Sequence, residues 1–128
     1  TFAVGHKATK QEEAYSLVKT ALDRALEAVK AGIPCVEIDR IARECIENGK
    51  LGKYFTHGTG HGVGLDVHEA PRIASNSEMV LEVGMVLTVE PGVYIPDLWG
   101  VRIEDMILVK EEGCEVLTKV SKDFTVLH

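Results

Sequence analysis

Glycine takes every second position from 58 to 64, in the run His57-Gly58-Thr59-Gly60-His61-Gly62-Val63-Gly64. Each glycine costs a helix interior about 1 kcal/mol relative to alanine, so this stretch is extended or looped. That excludes a helical H-E-x-x-H zinc site built on His57 and His61. In an extended chain the two histidines lie about 13 Å apart at ~3.3 Å per residue. Without a sharp turn, at most one of them ligates a given ion. A phosphate cradle is also excluded, because no Gly-Lys-Ser/Thr follows. The glycines would let backbone come close to a ligand. Taken by itself, the stretch reads as a Gly-rich loop with surface histidines. Three of the five histidines (His57, His61, His68) nevertheless lie between positions 57 and 68.

The residues before this run are helical in pattern. Thr9-Lys10-Gln11-Glu12 is a capping-box sequence, with Thr9 as the cap and Glu12 bonding back. Apolar residues then recur at helical spacing from Ala14 to Val29. Gly32 and Pro34 stop this helix. A second helix is predicted over Val36 to Glu47, with Ile38, Ile41, Ala42, Cys45 and Ile46 on one face, closed by Asn48-Gly49. No chemistry is assigned to either helix.

The second half is β-rich, with runs at Met85–Val89, Val93–Ile95, Val101–Val109 and Val116–Leu117. Pro91-Gly92, Pro96-Asp97 and Glu112-Gly113 separate them as turns. Thr1–Gly5 reads as the end of a strand cut from something longer, with no upstream segment to pair with. Helices followed by short strands predict an α+β chain, one domain over residues 1–128, with two helices on a mostly antiparallel sheet.

Within the strands, carboxylates interrupt apolar runs. Alternation puts Leu87 and Val89 on one face and Thr88 and Glu90 on the other. Likewise Val101 and Ile103 oppose Arg102 and Glu104. If the two strands pair about a turn centred near Asp97, Glu90 and Glu104 face each other. Two facing carboxylates repel, and one protonates unless a cation intervenes. Arg102 could neutralise one, and a divalent metal both. An ordinary surface strand pair with an Arg102–Glu104 bridge is the plainer reading, but it leaves Glu90 before Pro91-Gly92 without a role. His61, Glu90 and Glu104 together make a hard-to-borderline metal set.

Composition excludes several classes. Acidic residues number 20 against 14 basic, a net charge of −6, which argues against a phosphate-reading nucleic-acid binder. No apolar run approaches the ~18–20 residues that span a bilayer. The three cysteines, Cys35, Cys45 and Cys114, lack C-x-x-C spacing. They read as core thiols of a reducing, hence cytoplasmic, setting.

Three segments together resemble the pita-bread metallopeptidases. They are His57-Gly-Thr-Gly-His61-Gly-Val-Gly-Leu-Asp-Val-His68-Glu69, Gly84-Met-Val-Leu-Thr-Val-Glu90-Pro91-Gly92 and Gly100-Val-Arg102-Ile-Glu104-Asp105. The likeness runs from Thr1 to about residue 120 and is strongest to the Xaa-Pro dipeptidases (prolidases) and Xaa-Pro aminopeptidases. Such domains hold two divalent ions, manganese, cobalt, iron or zinc, through two Asp, one His and two Glu. The resemblance implies His61, Glu90 and Glu104 as metal ligands, with Glu90 also shuttling a proton. It implies His68 at the scissile carbonyl or the tetrahedral intermediate, and His57 shaping the substrate pocket. Arg102 would brace the bridging Glu104, and Asp105 would help orient ligands.

The family's two Asp ligands have no counterpart in this chain and would lie upstream of Thr1. The chain therefore reads as the C-terminal half of a pita-bread catalytic domain. On that reading it holds metal partly or not at all, is inactive alone, and self-associates as a homo-oligomer through the face left open. The partner implied is a peptide substrate, with no nucleic acid and no membrane. Two alternatives stay open: a catalytically dead peptide- or protein-binding module, and a methionine aminopeptidase or creatinase-type enzyme.

Overall fold

The computed structural model describes residues 1–128. Its first long element is α1 (Thr9–Ala28), which buries Ala14, Tyr15, Val18, Ala21, Leu22 and Ala25. Five of those six belong to the helical stripe read from the sequence, and Tyr15 joins them. The cap lies one residue earlier than the pattern suggested. Ala8 precedes the helix and its N–H donates to Gln11 Oε1 at 2.9 Å. Alanine has no side chain to cap with, so Gln11 takes over the return bond, and Glu12 instead pairs with Lys7 at 2.5 Å.

The second helix, α2 (Cys35–Asn48), follows Pro34 and buries Cys35, Ile38, Asp39, Ala42, Cys45 and Ile46. One charged residue thus sits in an otherwise apolar stripe. The cysteines are free, with Cys35 and Cys45 buried in the core. No helix is long and apolar enough to cross a membrane.

The strands are β1 (Phe2–Val4), β2 (Gly60–Gly62), β3 (Glu69–Ile73), β4 (Val86–Val89), β5 (Gly92–Ile95), β6 (Trp99–Arg102), β7 (Asp105–Val109), β8 (Cys114–Val116) and β9 (Thr125–Leu127). The main sheet has the order β3-β2-β4-β7-β8, and all its pairings are antiparallel. β5 and β6 form a separate antiparallel hairpin. The chain is α+β, as its sequence predicts. Leu87, Val89, Ile107 and Val109 are fully buried beneath the helices' apolar faces. Each such side chain contributes roughly 1.5–3 kcal/mol by leaving water.

Four expectations need correction. The Gly-rich run is not simply a loop, because Gly60–Gly62 forms a strand inside the main sheet, with β3 on one side and β4 on the other. The run Val101–Val109 is broken at Ile103-Glu104, and Gly92 opens β5 rather than making a turn. β1 finds a parallel partner in β9, Phe2 facing Thr125. Residues so far apart in sequence leave no local sign of their pairing.

The central hairpin keeps one register throughout. Val89 faces Asp105 and Gly92 faces Arg102, with Asp97 in the turn. Glu90 and Glu104 are therefore opposite each other in the gap between the two ladders, as the alternation argument requires.

Glycine is obligatory at two places in β2. A Cβ at position 60 would lie 1.9 Å from the Thr88 carbonyl oxygen, and one at position 62 would lie 2.0 Å from that of Ala70. Both obstacles are main chain and cannot rotate away. Gly60→Ala is expected to destabilise the chain by at least the ~1–3 kcal/mol of an overpacked site, read as a lowered urea midpoint.

Candidate metal centre

β2 holds His61 between β3 and β4, facing Arg72 of β3. Its Nδ1 lies 2.9 Å from the Gly62 carbonyl oxygen. A carbonyl only accepts, so Nδ1 carries the proton and donates. In the neutral ring Nε2 then presents a lone pair, and Glu90 Oε1 lies 3.1 Å from it. Two acceptors at that distance need a proton or a cation between them. A backbone-anchored Nδ1–H that leaves the Nε2 lone pair free is the way proteins orient a metal-ligating histidine.

Glu90 follows β4 directly. Its backbone N–H donates to the Thr59 carbonyl at 2.7 Å, and Thr88 Oγ1 donates to its Oε1 at 3.1 Å. Its other oxygen, Oε2, is 3.5 Å from Arg102 Nε. Arg102 thus contacts Glu90, and its charge also acts on Glu104, the residue that the family resemblance has it brace.

Glu104 occupies the facing position and its side chain reaches solvent. Partial burial, and then the charge of Glu90, push its carboxyl above the ordinary range, with Arg102 and His61 acting in the opposite sense. Asp105, on the other face of the strand, is buried and paired with Lys122 at 2.8 Å. It makes no hydrogen bond to His61, Glu90 or Glu104.

His57, His61, His68, Arg72, Glu90 and Arg102 line one cleft of about 470 Å³. His68 is exposed and meets His61 edge to face, ring centroids 4.5 Å apart. His57 is fixed at both nitrogens, Nδ1 on the Gly58 carbonyl at 2.7 Å and Nε2 on Tyr94 Oη at 3.1 Å. Glu104 opens onto the adjoining cleft, and Arg102 lines both. Arg72, which forms no ion pair within the chain, was not singled out from the sequence. Its signal is spacing, for it follows His68 on the strand that pairs with His61.

A second group that periodicity passed over is the buried Asp39 of α2. Its carboxylate takes both a bidentate Arg43 contact, each bond 3.0 Å, and the N–H and hydroxyl of Thr59 at 3.1 and 2.8 Å. Arg43 in turn donates to the Phe55 and His57 carbonyls at 2.9 Å. The helix thereby clamps the segment that presents His57 and leads into His61. The available sign was an acidic residue four positions before an arginine, inside an apolar stripe.

The donor set of one imidazole nitrogen and two facing carboxylates suits a divalent cation. The chain by itself gathers no group of three or more metal-ligating side chains around one point.

Residues 1–111 match metallopeptidase family M24. The chain belongs to that family. It is 51% identical to the Xaa-Pro dipeptidase of Pyrococcus furiosus over 123 residues, 96% of this chain and 35% of that protein. The Xaa-Pro dipeptidase structure from Bacillus anthracis superposes with a TM-score of 0.95 at 48% identity, covering 98% of this chain and 36% of that one. The X-Pro aminopeptidase structure from Thermotoga maritima gives a TM-score of 0.93 at 40% identity, over 97% of this chain and 35% of that one. The chain thus spans about a third of the length of these relatives. Its α+β fold is that of the corresponding part of the M24 pita-bread domain.

Removing the clamp should be costly. Asp39→Ala is expected to lower unfolding stability toward the smaller end of the ~3–5 kcal/mol for a broken buried pair, because Arg43 keeps some solvent. The measurement is urea denaturation of the metal-free chain. Glu104 gives a pH signature. Its raised pKa means the folded chain holds that proton more tightly than the unfolded chain does. Stability from this group is present at acid pH and is lost as pH rises through the folded pKa. Glu104→Gln should therefore stabilise the metal-free chain at pH 7, and the gain should shrink as pH falls toward the ordinary glutamate range.

Proposed function

We propose that this chain supplies one part of a dinuclear metallopeptidase centre that cleaves the peptide bond before proline. The observation carrying the reading is the His61 Nε2–Glu90 Oε1 approach of 3.1 Å, with Nδ1 already committed to a carbonyl. The family membership and the Xaa-Pro dipeptidase likeness support it. His61, Glu90 and Glu104 would hold the ions, and two further carboxylates would come from outside these residues. Divalent ions bound there supply Lewis acidity toward the peptide carbonyl and lower the pKa of the attacking water.

The side chains divide the remaining work. Glu90 accepts the proton of the attacking water and returns it to the leaving amine, as a carboxylate facing the reacting atoms can. His68, free in the cleft beside His61, donates to the oxygen that gains charge at the carbonyl carbon. His57, locked by Gly58 and Tyr94, is a wall of the substrate pocket. Arg72 is a cation without an internal partner, positioned for the terminal carboxylate of a short peptide. Its presence favours dipeptides over longer substrates.

The test begins with metal content. The 128-residue chain, equilibrated with excess Mn(II) and desalted, should retain fewer than two ions and show no Xaa-Pro hydrolysis. A chain extended to the length of its relatives should retain two and cleave Xaa-Pro dipeptides. His61→Ala and Glu90→Gln should each abolish that activity, and Arg72→Ala should raise KM for a dipeptide more than for a tripeptide. Two ions retained by the 128-residue chain alone would overturn the shared-site reading. An extended chain that binds peptide but no metal would favour a binding module.

A further inference from the structure

Thr88 is buried to 3% exposure in the middle of the sheet, between two aliphatic residues that face the core. A threonine hydroxyl has one proton to give and two lone pairs to receive. Its Oγ1 lies 3.2 Å from the His61 backbone nitrogen, 3.1 Å from Glu90 Oε1 and 3.5 Å from the His61 carbonyl oxygen. The single proton goes to the nearer and charged acceptor, the carboxylate. The lone pair receives the His61 N–H. One oxygen atom therefore ties the strand bearing His61 to the side chain that faces the His61 ring.

We propose that Thr88 is a positioning residue that fixes the Glu90 carboxylate toward His61 Nε2. The inference rests on reading His61 and Glu90 as a ligand pair. It adds the reason why Glu90 points there. Glu90 has rotatable bonds to spare, and its other oxygen meets only a half-exposed Arg102 at 3.5 Å. Nothing else in the chain donates to Oε1 from a rigid position. Thr88 is rigid on two counts. Its β-branch restricts χ1, and its backbone carbonyl is pressed against Gly60. The His61 backbone is held to the same atom, so ring and carboxylate are set by one reference point.

The test compares Thr88→Val, which keeps the shape and removes the hydroxyl, with Thr88→Ser, which keeps the hydroxyl. The first readout needs no metal: three-bond couplings of the Glu90 side chain in the 128-residue chain. One Glu90 rotamer is expected in the wild type and in Thr88→Ser, and averaged couplings in Thr88→Val. The second readout is titration with cobalt(II) alone. Thr88→Val should weaken it about 10–100-fold, as loss of a ligand-orienting group does, with Thr88→Ser within about twofold of wild type on the same scale. A Thr88→Val chain that folds and keeps one Glu90 rotamer overturns the proposal. If Thr88→Val does not fold, Thr88→Cys is judged by the same rotamer criterion, because its longer bond and weak donor loosen the same link. His61→Ala separates the two readings. If it leaves cobalt affinity unchanged, the ligand assignment fails, and the rotamer result still decides what Thr88 does.

Discussion

A Cβ at position 60 would come within 1.9 Å of a main-chain oxygen. That absence of a side chain lets β2 lie against β4 closely enough for Thr88 to touch the His61 backbone. The contact in turn sets where His61 and Glu90 meet. Sheet geometry usually reaches a site through side chains that fill space. Here it works through space that must stay empty, and the hydrogen bonds follow from the approach.

The helices serve the site from the other side. Asp39 is a charge in an apolar stripe, which is costly unless it is fully bonded. It is satisfied by Arg43 and by both donors of Thr59. The segment from Phe55 to Thr59 is thus tied to α2 through four polar groups, while Gly60 onward is tied to β4. His57 and His61 sit either side of the change from one support to the other. The cleft inherits its shape from a helix and a sheet that have no direct sequence relation.

Much of this could be read before the structure. Turn chemistry at Pro96-Asp97 and the alternation at Leu87–Glu90 and Val101–Glu104 specify the hairpin register, because a strand with one apolar face has few ways to pair. The two helices followed from periodicity. What escaped were features with no pattern to count. A three-residue strand of Gly-His-Gly has no apolar face, so its place inside the sheet is visible only through its neighbours' backbones. Ala8 cannot announce itself as a helix start. The parallel pairing of Phe2–Val4 with Thr125–Leu127 joins the most distant parts of the chain. Asp39 carries a signal of another kind, an acidic residue four positions before Arg43 inside an apolar stripe, which helical periodicity alone does not register.

The hairpin between the two carboxylates has a consequence for chain length. Asp97 adopts a left-handed conformation, φ 60°, at the centre of a register that continues unbroken to Glu90 and Glu104. Side chains on a strand alternate, so the turn behaves as a parity lock. One residue more or less at the tip would send Glu104 to the core side and bring the apolar Ile103 into its place. A pair of residues, one added to each arm, would leave the facing intact. The tolerance of this surface loop to insertion is thus governed by arithmetic imposed from the cleft, at a distance from any group that touches it.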